Sequence, residues 1–168
     1  SCSSTSRIFV HEALHDAVVE EMVRLAEAIP VGLPWIEGVE FGPIVSEHQR
    51  DRILNMISSA KDEGAKLLTG GKAPDDKTLE NGFFVAPTVF DNVTQDMRIA
   101  REEIFGPVMS VLTWKDYETM LSEVNSLEYG LTALIATNDI NQAMETVDRV
   151  EAGYVWVNSN GRYLGAPY

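Results

Sequence analysis

Pro107-Val108-Met109-Ser110-Val111-Leu112-Thr113-Trp114 is the stretch of this 168-residue sequence that decides the fold. It is apolar and of strand length, and it opens on the turn pair Gly106-Pro107. Its apolar residues run almost without interruption, the mark of a strand covered on both faces, as in a parallel sheet between helices. Downstream, residues 116–126 predict a short helix that buries Met120, Leu121 and Val124. Leu131 to Ala136 is a second continuous apolar run of strand length. Residues 139–150 are amphipathic, with Ile140, Ala143, Met144, Val147 and Val150 on one side; Gly153 breaks the helix and Tyr154 to Val157 forms a last strand.

Upstream, Phe83 to Phe90 is β-prone but interrupted by Pro87, which demotes part of the run to an edge or a bend. Ala73 to Gly82 is polar and predicts an exposed loop, and Lys66 to Leu68 is a short strand stopped by Gly70-Gly71. Before it, Ser46 and Gln49 have the spacing of a capping box. The helix they open buries Ile53, Met56, Ile57 and Ala60, and Gly64 suits its left-handed C-terminal position. Residues 35–45 are irregular. Residues 12–28 predict a helix with Leu14, Val18, Met22, Leu25 and Ile29 on one face and Glu20, Arg24 and Glu27 on the other. Arg7 to Val10 is a buried strand. Strand and helix patterns alternate through most of the chain, which predicts a single α/β domain with a largely parallel sheet flanked by helices.

Composition narrows the function. Apolar residues make up 45% and charged residues 23%, as in ordinary soluble domains. The net charge of −13, from 26 acidic and 13 basic side chains, argues against a nucleic-acid backbone and against an anionic membrane surface as partners. No apolar run is long enough to span a membrane, and polar Ser1 to Ser6 leads into no signal peptide. The single cysteine excludes an internal disulfide and fits a reducing, cytoplasmic setting. His11, His15 and His48 lack zinc-type spacing with Cys2, so no metal is expected.

Two clusters have chemical potential. Cys2 lies in the small polar run Ser1-Cys2-Ser3-Ser4-Thr5-Ser6 ahead of a strand, where backbone N–H groups could stabilise a thiolate or an oxyanion. The alternative is a small, inert cysteine packed in the interior. A cysteine hydrolase would need a histidine beside the thiol, but His11 is nine residues further along an extended segment. The second cluster is Arg101-Glu102-Glu103-Ile104-Phe105-Gly106-Pro107. Glu103 could accept hydrogen bonds from vicinal hydroxyls and Phe105 could wall a planar ring; equally, the segment could be a helix end turning into a strand. Neither a GxGxxG nor a phosphate-loop pattern occurs in the 168 residues.

Taken in order, the segments resemble the aldehyde dehydrogenase superfamily. Cys2-Ser3-Ser4-Thr5-Ser6-Arg7-Ile8-Phe9-Val10 is similar to its active-site cysteine segment. Phe41-Gly42-Pro43-Ile44-Val45-Ser46 and Gly64-Ala65-Lys66-Leu67-Leu68-Thr69-Gly70-Gly71 are similar to its helix start and its double-glycine turn. The most specific likeness is Ala86-Pro87-Thr88-Val89 followed by residues 97–108, Met97 to Val108. Tyr129 to Ala133, Gly153 to Asn158 and Gly165 to Tyr168 follow in the same order.

The resemblance implies the catalytic domain of the aldehyde dehydrogenase fold, and an aldehyde oxidised to a carboxylic acid with NAD or NADP. Cys2 would be the nucleophile, passing through a thiohemiacetal and a thioester, and its backbone N–H would form half of the oxyanion hole. Glu103 would hold the nicotinamide ribose, Phe105 would pack beside the nicotinamide, and Ser1 and Ser3 would line the substrate tunnel. Asn160 to Leu164 would lie at the tunnel mouth, with Arg162 in reach of a substrate carboxylate or simply solvated. The family's dinucleotide-binding domain, with its water-activating glutamate and oxyanion-hole asparagine, has no counterpart in these residues. Nor has the C-terminal strand used in homo-oligomer assembly. The expectation is therefore a truncated catalytic domain, weak or silent toward NAD(P) on its own, or retaining only slow thiol-dependent ester hydrolysis.

Overall fold

A computed structural model describes residues 1–159. Two compact units form: residues 6–115, and residues 1–5 with the chain from Asp116 onward.

The larger unit is built on four strands, β1 (Arg7–His11), β2 (Lys66–Thr69), β3 (Thr88–Asp91) and β4 (Val108–Trp114), in the order β1-β4-β3-β2. β4 is parallel to both β1 and β3, and only β2 runs antiparallel, at the edge. The largely parallel, two-faced sheet expected of the run at 107–114 is present, with that run as a central strand.

Because side chains alternate across a strand, the pleat deals the apolar residues to two cores. Val108 and Leu112 of β4, Phe90 of β3 and Phe9 of β1 face one side. There they meet Ile53, Met56, Ile57 and Ala60 of α2 (Glu47–Asp62) and Ile99 and Ala100 of the one-turn α3 (Arg98–Arg101). Met109 and Val111 of β4, Val89 of β3 and Ile8 and Val10 of β1 face the other side, covered by α1 (His15–Ala28).

The α2 stripe is the one its spacing predicts, and Gly64 follows the helix with φ +98°. Ser46 caps it, its Oγ accepting from the Gln49 N–H at 3.2 Å. The reciprocal half of a capping box is absent: the Gln49 side chain reaches instead to the carbonyls of Ile104 and Phe105.

Three other expectations are corrected. Residues 12–14 form a separate 3₁₀ turn, and α1 packs half-buried Val18, Val19, Met22 and Val23 and buried Ala26 on the sheet, leaving Leu14 60% and Leu25 50% exposed. Apolar residues of this helix spread well beyond a single stripe, and the sheet selects the face. Pro87 does not push its run to the edge; it precedes the first ladder residue, and β3 is interior and fully buried. The 73–82 loop carries a 3₁₀ turn, Lys77–Leu79, whose Leu79 is buried.

The smaller unit holds α4 (Tyr117–Val124), β5 (Thr132–Ile135), α5 (Ile140–Arg149) and β6 (Tyr154–Val157), with β5 and β6 parallel across α5. Asp116 and Asp139 cap the two helices through their carboxylates. Asn125 ties α4 to the end of α5, donating to the Arg149 carbonyl at 2.9 Å and accepting from the Glu151 N–H at 3.0 Å. On the apolar side of α5, Ala143 is buried, while Ile140 and Met144 are exposed.

Candidate active site

Ser1, Cys2 and Ser3 come together in a turn ahead of β1. The Ser4 N–H donates to the Ser1 carbonyl at 3.1 Å, and the hydroxyls of Ser1 and Ser3 lie 3.2 Å apart. Cys2 at the head of this turn is exposed. A thiol among small polar side chains is sterically open to an electrophile.

Glu103 and Phe105 come together in the larger unit, on the connection between α3 and β4. The helix ends at Arg101, so Glu102 and Glu103 lie beyond it. Glu102 turns back onto Arg98 with bonds of 2.8 and 3.0 Å, and that pairing holds its carboxyl below the ordinary carboxylate range. Ile104 drives into the α2 core, 1% exposed, while Glu103 and Phe105 on either side stay at the surface, Phe105 at 51%. A buried pivot thus presents a carboxylate and an aromatic ring outward from one short segment.

The segment is held in an unusual backbone path. Phe105 has φ +54°, a left-handed conformation that costs a residue with a Cβ roughly 1–2 kcal/mol. Gly106 follows because nothing larger fits: a Cβ there would lie 2.5 Å from Cδ1 and 2.7 Å from Cγ1 of Ile53. Helix α2 supplies the restraint. The Arg52 guanidinium donates to the Ile104 carbonyl at 2.9 Å and the Glu103 carbonyl at 2.7 Å. The Gln49 amide donates to the Ile104 carbonyl at 3.2 Å and the Phe105 carbonyl at 3.1 Å. Gln49 was expected only as a helix cap, and Arg52 carried no signal in the sequence, since their partners lie some fifty residues further along.

Cys2 and the Glu103–Phe105 segment belong to different compact units. The histidines are apart from both in role. His11 caps the 3₁₀ turn after β1 and packs edge-on against Trp114, with ring centroids 4.6 Å apart. His15 is bonded to Asp16 and Asp91, and His48 lines a shallow cleft with Asp51, Arg52, Asn55 and Arg98. Among the described residues, no group of three His, Cys, Asp or Glu side chains could hold a metal ion. No helix among them is long and apolar enough to cross a membrane. The tunnel-mouth residues Asn160 to Leu164, including Arg162, and the Gly165–Tyr168 segment lie outside the described residues.

The model of the aldehyde dehydrogenase family matches residues 1–166. The aldehyde dehydrogenase tropH of Talaromyces stipitatus is 47% identical over 173 residues, covering 100% of this chain and 34% of that protein. Human retinaldehyde dehydrogenase 3 is 44% identical, covering 99% of this chain and 32% of its own length. Among solved structures, a betaine aldehyde dehydrogenase from Staphylococcus aureus, in complex with NAD+ and with a BME-modified cysteine, superposes with a TM-score of 0.93. The two are 33% identical, over 97% of this chain and 33% of that one. The NAD+ complex of a Bacillus cereus aldehyde dehydrogenase gives a TM-score of 0.88 at 39% identity, over 94% of this chain and 31% of that one. The chain thus spans about a third of the length of the relatives it matches.

Proposed function

The chain belongs to the aldehyde dehydrogenase family, and from that premise we propose that it is the thiol-bearing catalytic domain of an enzyme that oxidises an aldehyde to a carboxylic acid with NAD or NADP. The observation that carries this reading is the exposed thiol of Cys2 at the head of a chain matched over residues 1–166.

The proposed chemistry begins with the Cys2 thiolate adding to the aldehyde carbon. An S–C bond forms and the carbonyl π pair moves to oxygen, where the backbone N–H of Cys2 would offer a hydrogen bond. The thiohemiacetal then loses two electrons and a proton to become a thioester, and NAD(P), when bound, supplies the two-electron acceptor. Water cleaves the thioester, releasing the carboxylic acid and restoring the thiol. Ser1 and Ser3, beside the nucleophile, would line the substrate's approach.

Glu103 and Phe105 fit a nicotinamide nucleoside in kind. An exposed carboxylate can accept from both hydroxyls of a ribose, and an exposed ring on a fixed backbone can wall a planar heterocycle. The NAD+ complexes of the Staphylococcus aureus and Bacillus cereus proteins support NAD(P) as the cofactor. The single cysteine supports a reducing, cytoplasmic setting, and family membership supports a homo-oligomer.

The 168 residues contain no dinucleotide fingerprint, so by themselves they should not reduce NAD+. Slow ester hydrolysis through Cys2 is the alternative activity. The test has two arms. In the longest natural chain that carries this segment, Cys2→Ser should lower aldehyde-dependent NADH formation by about 10³-fold or more. An active Cys2→Ser protein overturns the nucleophile assignment. In the 168-residue chain, iodoacetamide should label Cys2 without denaturant while aldehyde and NAD+ give no rise at 340 nm. Steady NADH formation there overturns the expectation of silence.

A further inference from the structure

The dipeptide Asn-Gly occurs at 81–82 and again at 160–161. In this pair the asparagine side chain is open to attack by the backbone that follows it, because glycine has no Cβ to shield its own nitrogen. Asn81 lies at the surface, just past the 3₁₀ turn Lys77–Leu79. Gly82 cannot be exchanged there. A Cβ on it would lie 2.3 Å from Cε2 and 2.7 Å from Cδ2 of Phe84, which is 2% exposed. Packing against Phe84 thus demands the residue that leaves the Asn81 side chain chemically vulnerable.

The same turn holds the nucleophile back. The Gly82 N–H donates to the Leu79 carbonyl at 2.9 Å. While that bond lasts, the nitrogen can neither swing onto Asn81 Cγ nor give its proton to solvent. The acceptor is itself anchored. Leu79 is buried, and its N–H donates to the Asp76 carbonyl at 3.0 Å. The Asp76 carboxylate accepts from the Thr78 N–H and from the Thr78 hydroxyl, each at 2.8 Å.

We infer that Asn81 is a self-modification site, converted to aspartate and isoaspartate through a succinimide, and that the Leu79–Gly82 turn sets its rate. When the turn opens, hydroxide removes the Gly82 N–H proton and the nitrogen attacks Asn81 Cγ. A C–N bond forms, and the bond from Cγ to the side-chain nitrogen breaks, releasing ammonia. Water then opens the cyclic imide. Opening at Cγ gives aspartate. Opening at the main-chain carbonyl gives isoaspartate, whose backbone runs through the former side chain and is longer by a methylene. The lengthened link enters immediately ahead of Phe83, whose carbonyl accepts from the Ile44 N–H at 2.7 Å, and of buried Phe84 and Val85. Such a chain cannot keep both the Leu79 bond and the Phe84 packing, so the modification loosens the structure beneath the turn.

The 168-residue chain is incubated in warm, mildly alkaline buffer, native or unfolded in urea. Tryptic peptide masses and isoaspartyl methylation then give the rate at Asn81. In urea, Asn81 and Asn160 should convert at similar rates, since both precede glycine in an open chain. In the native chain, Asn81 should convert at least about tenfold more slowly than in urea, because only the open fraction reacts. Asp76→Ala removes the exposed cap of the 3₁₀ turn and should raise the native rate by roughly threefold to tenfold. Leu79→Ala should raise it further, and if that protein does not fold, Asp76→Ala, checked by thermal midpoint, decides alone.

A native rate equal to the rate in urea overturns gating by the turn, as does a native rate that Asp76→Ala leaves unchanged. Absence of isoaspartate at Asn81 in urea overturns the site itself. The conversion replaces an amide by a carboxylate, so the modified fraction separates by anion exchange. Its thermal midpoint should lie below that of the unmodified chain, and equal midpoints overturn the loosening.

Discussion

At the scale of single residues, His15 is the most tightly argued ionisable group in the chain. Its Nδ1 lies 2.9 Å from a carboxylate oxygen of Asp16, and its Nε2 lies 2.9 Å from one of Asp91, itself buried at the end of β3. An imidazole with a carboxylate on each nitrogen is best satisfied when both nitrogens carry protons. Those hydrogen bonds, from Asp16 and then Asp91, raise its pKa above the ordinary histidine value. A raised value in the folded state means the folded protein holds the proton more tightly than the unfolded one. The stabilisation is therefore complete below about pH 6.5 and is lost as pH rises through the elevated folded value. Thermal midpoints measured from about pH 5.5 to about pH 9 should decline across that window in the native protein. His15→Gln should flatten the decline, and a decline of the same size in His15→Gln would exclude His15 as its source. The pairing was not legible in the sequence. Asp91 lies 76 positions away and only the sheet delivers it to α1.

At the scale of elements, α2 shows what periodicity can and cannot recover. Its buried stripe and both ends followed from spacing, because the apolar residues occupy one narrow face and the cap is local. Ser46→Ala should therefore cost about 1 kcal/mol in a denaturant titration, the usual loss when an N-cap hydroxyl is removed. A change within error would mean that another group satisfies the Gln49 N–H. The role of the Gln49 side chain escaped because the carbonyls its amide nitrogen donates to are brought near only by tertiary folding. The α1 face was misjudged for a related reason. With Val18, Val19, Met22, Val23, Leu25 and Ala26 all apolar, the sequence allows several faces, and packing on the sheet chooses among them. β3 was misread because Pro87 was taken to interrupt a strand it in fact precedes. Of the candidate site, Glu103 and Phe105 were singled out by residue type, and both are exposed on one short segment. The restraint behind that pair became visible only in three dimensions.

At the scale of the whole molecule, the two compact units differ in how well they cover themselves. The larger has two cores, one on each face of its sheet. Among its described residues the smaller buries little besides Leu121 and Ala143, and leaves Leu131, Leu134, Ile140 and Met144 exposed. Trp35, Ile36 and Val45, in the irregular segment of the larger unit, are exposed as well. Such side chains favour association, and the net charge of −13 opposes it. The 168-residue chain should therefore self-associate weakly at low ionic strength. It should do so more strongly as added salt shortens the reach of the repulsion to about 10 Å or less. Sedimentation velocity at two salt concentrations tests this, and a monomer at both would show that the exposed apolar side chains do not drive association.

The contact of Gly106 with Ile53 has a consequence for engineering the molecule. The 103–107 loop has no conformation of its own to carry into another host, because its path is the imprint of α2. The smallest transplantable piece is the loop together with residues 49–53. A library that randomises the loop on this scaffold should return glycine at 106 before it returns anything else.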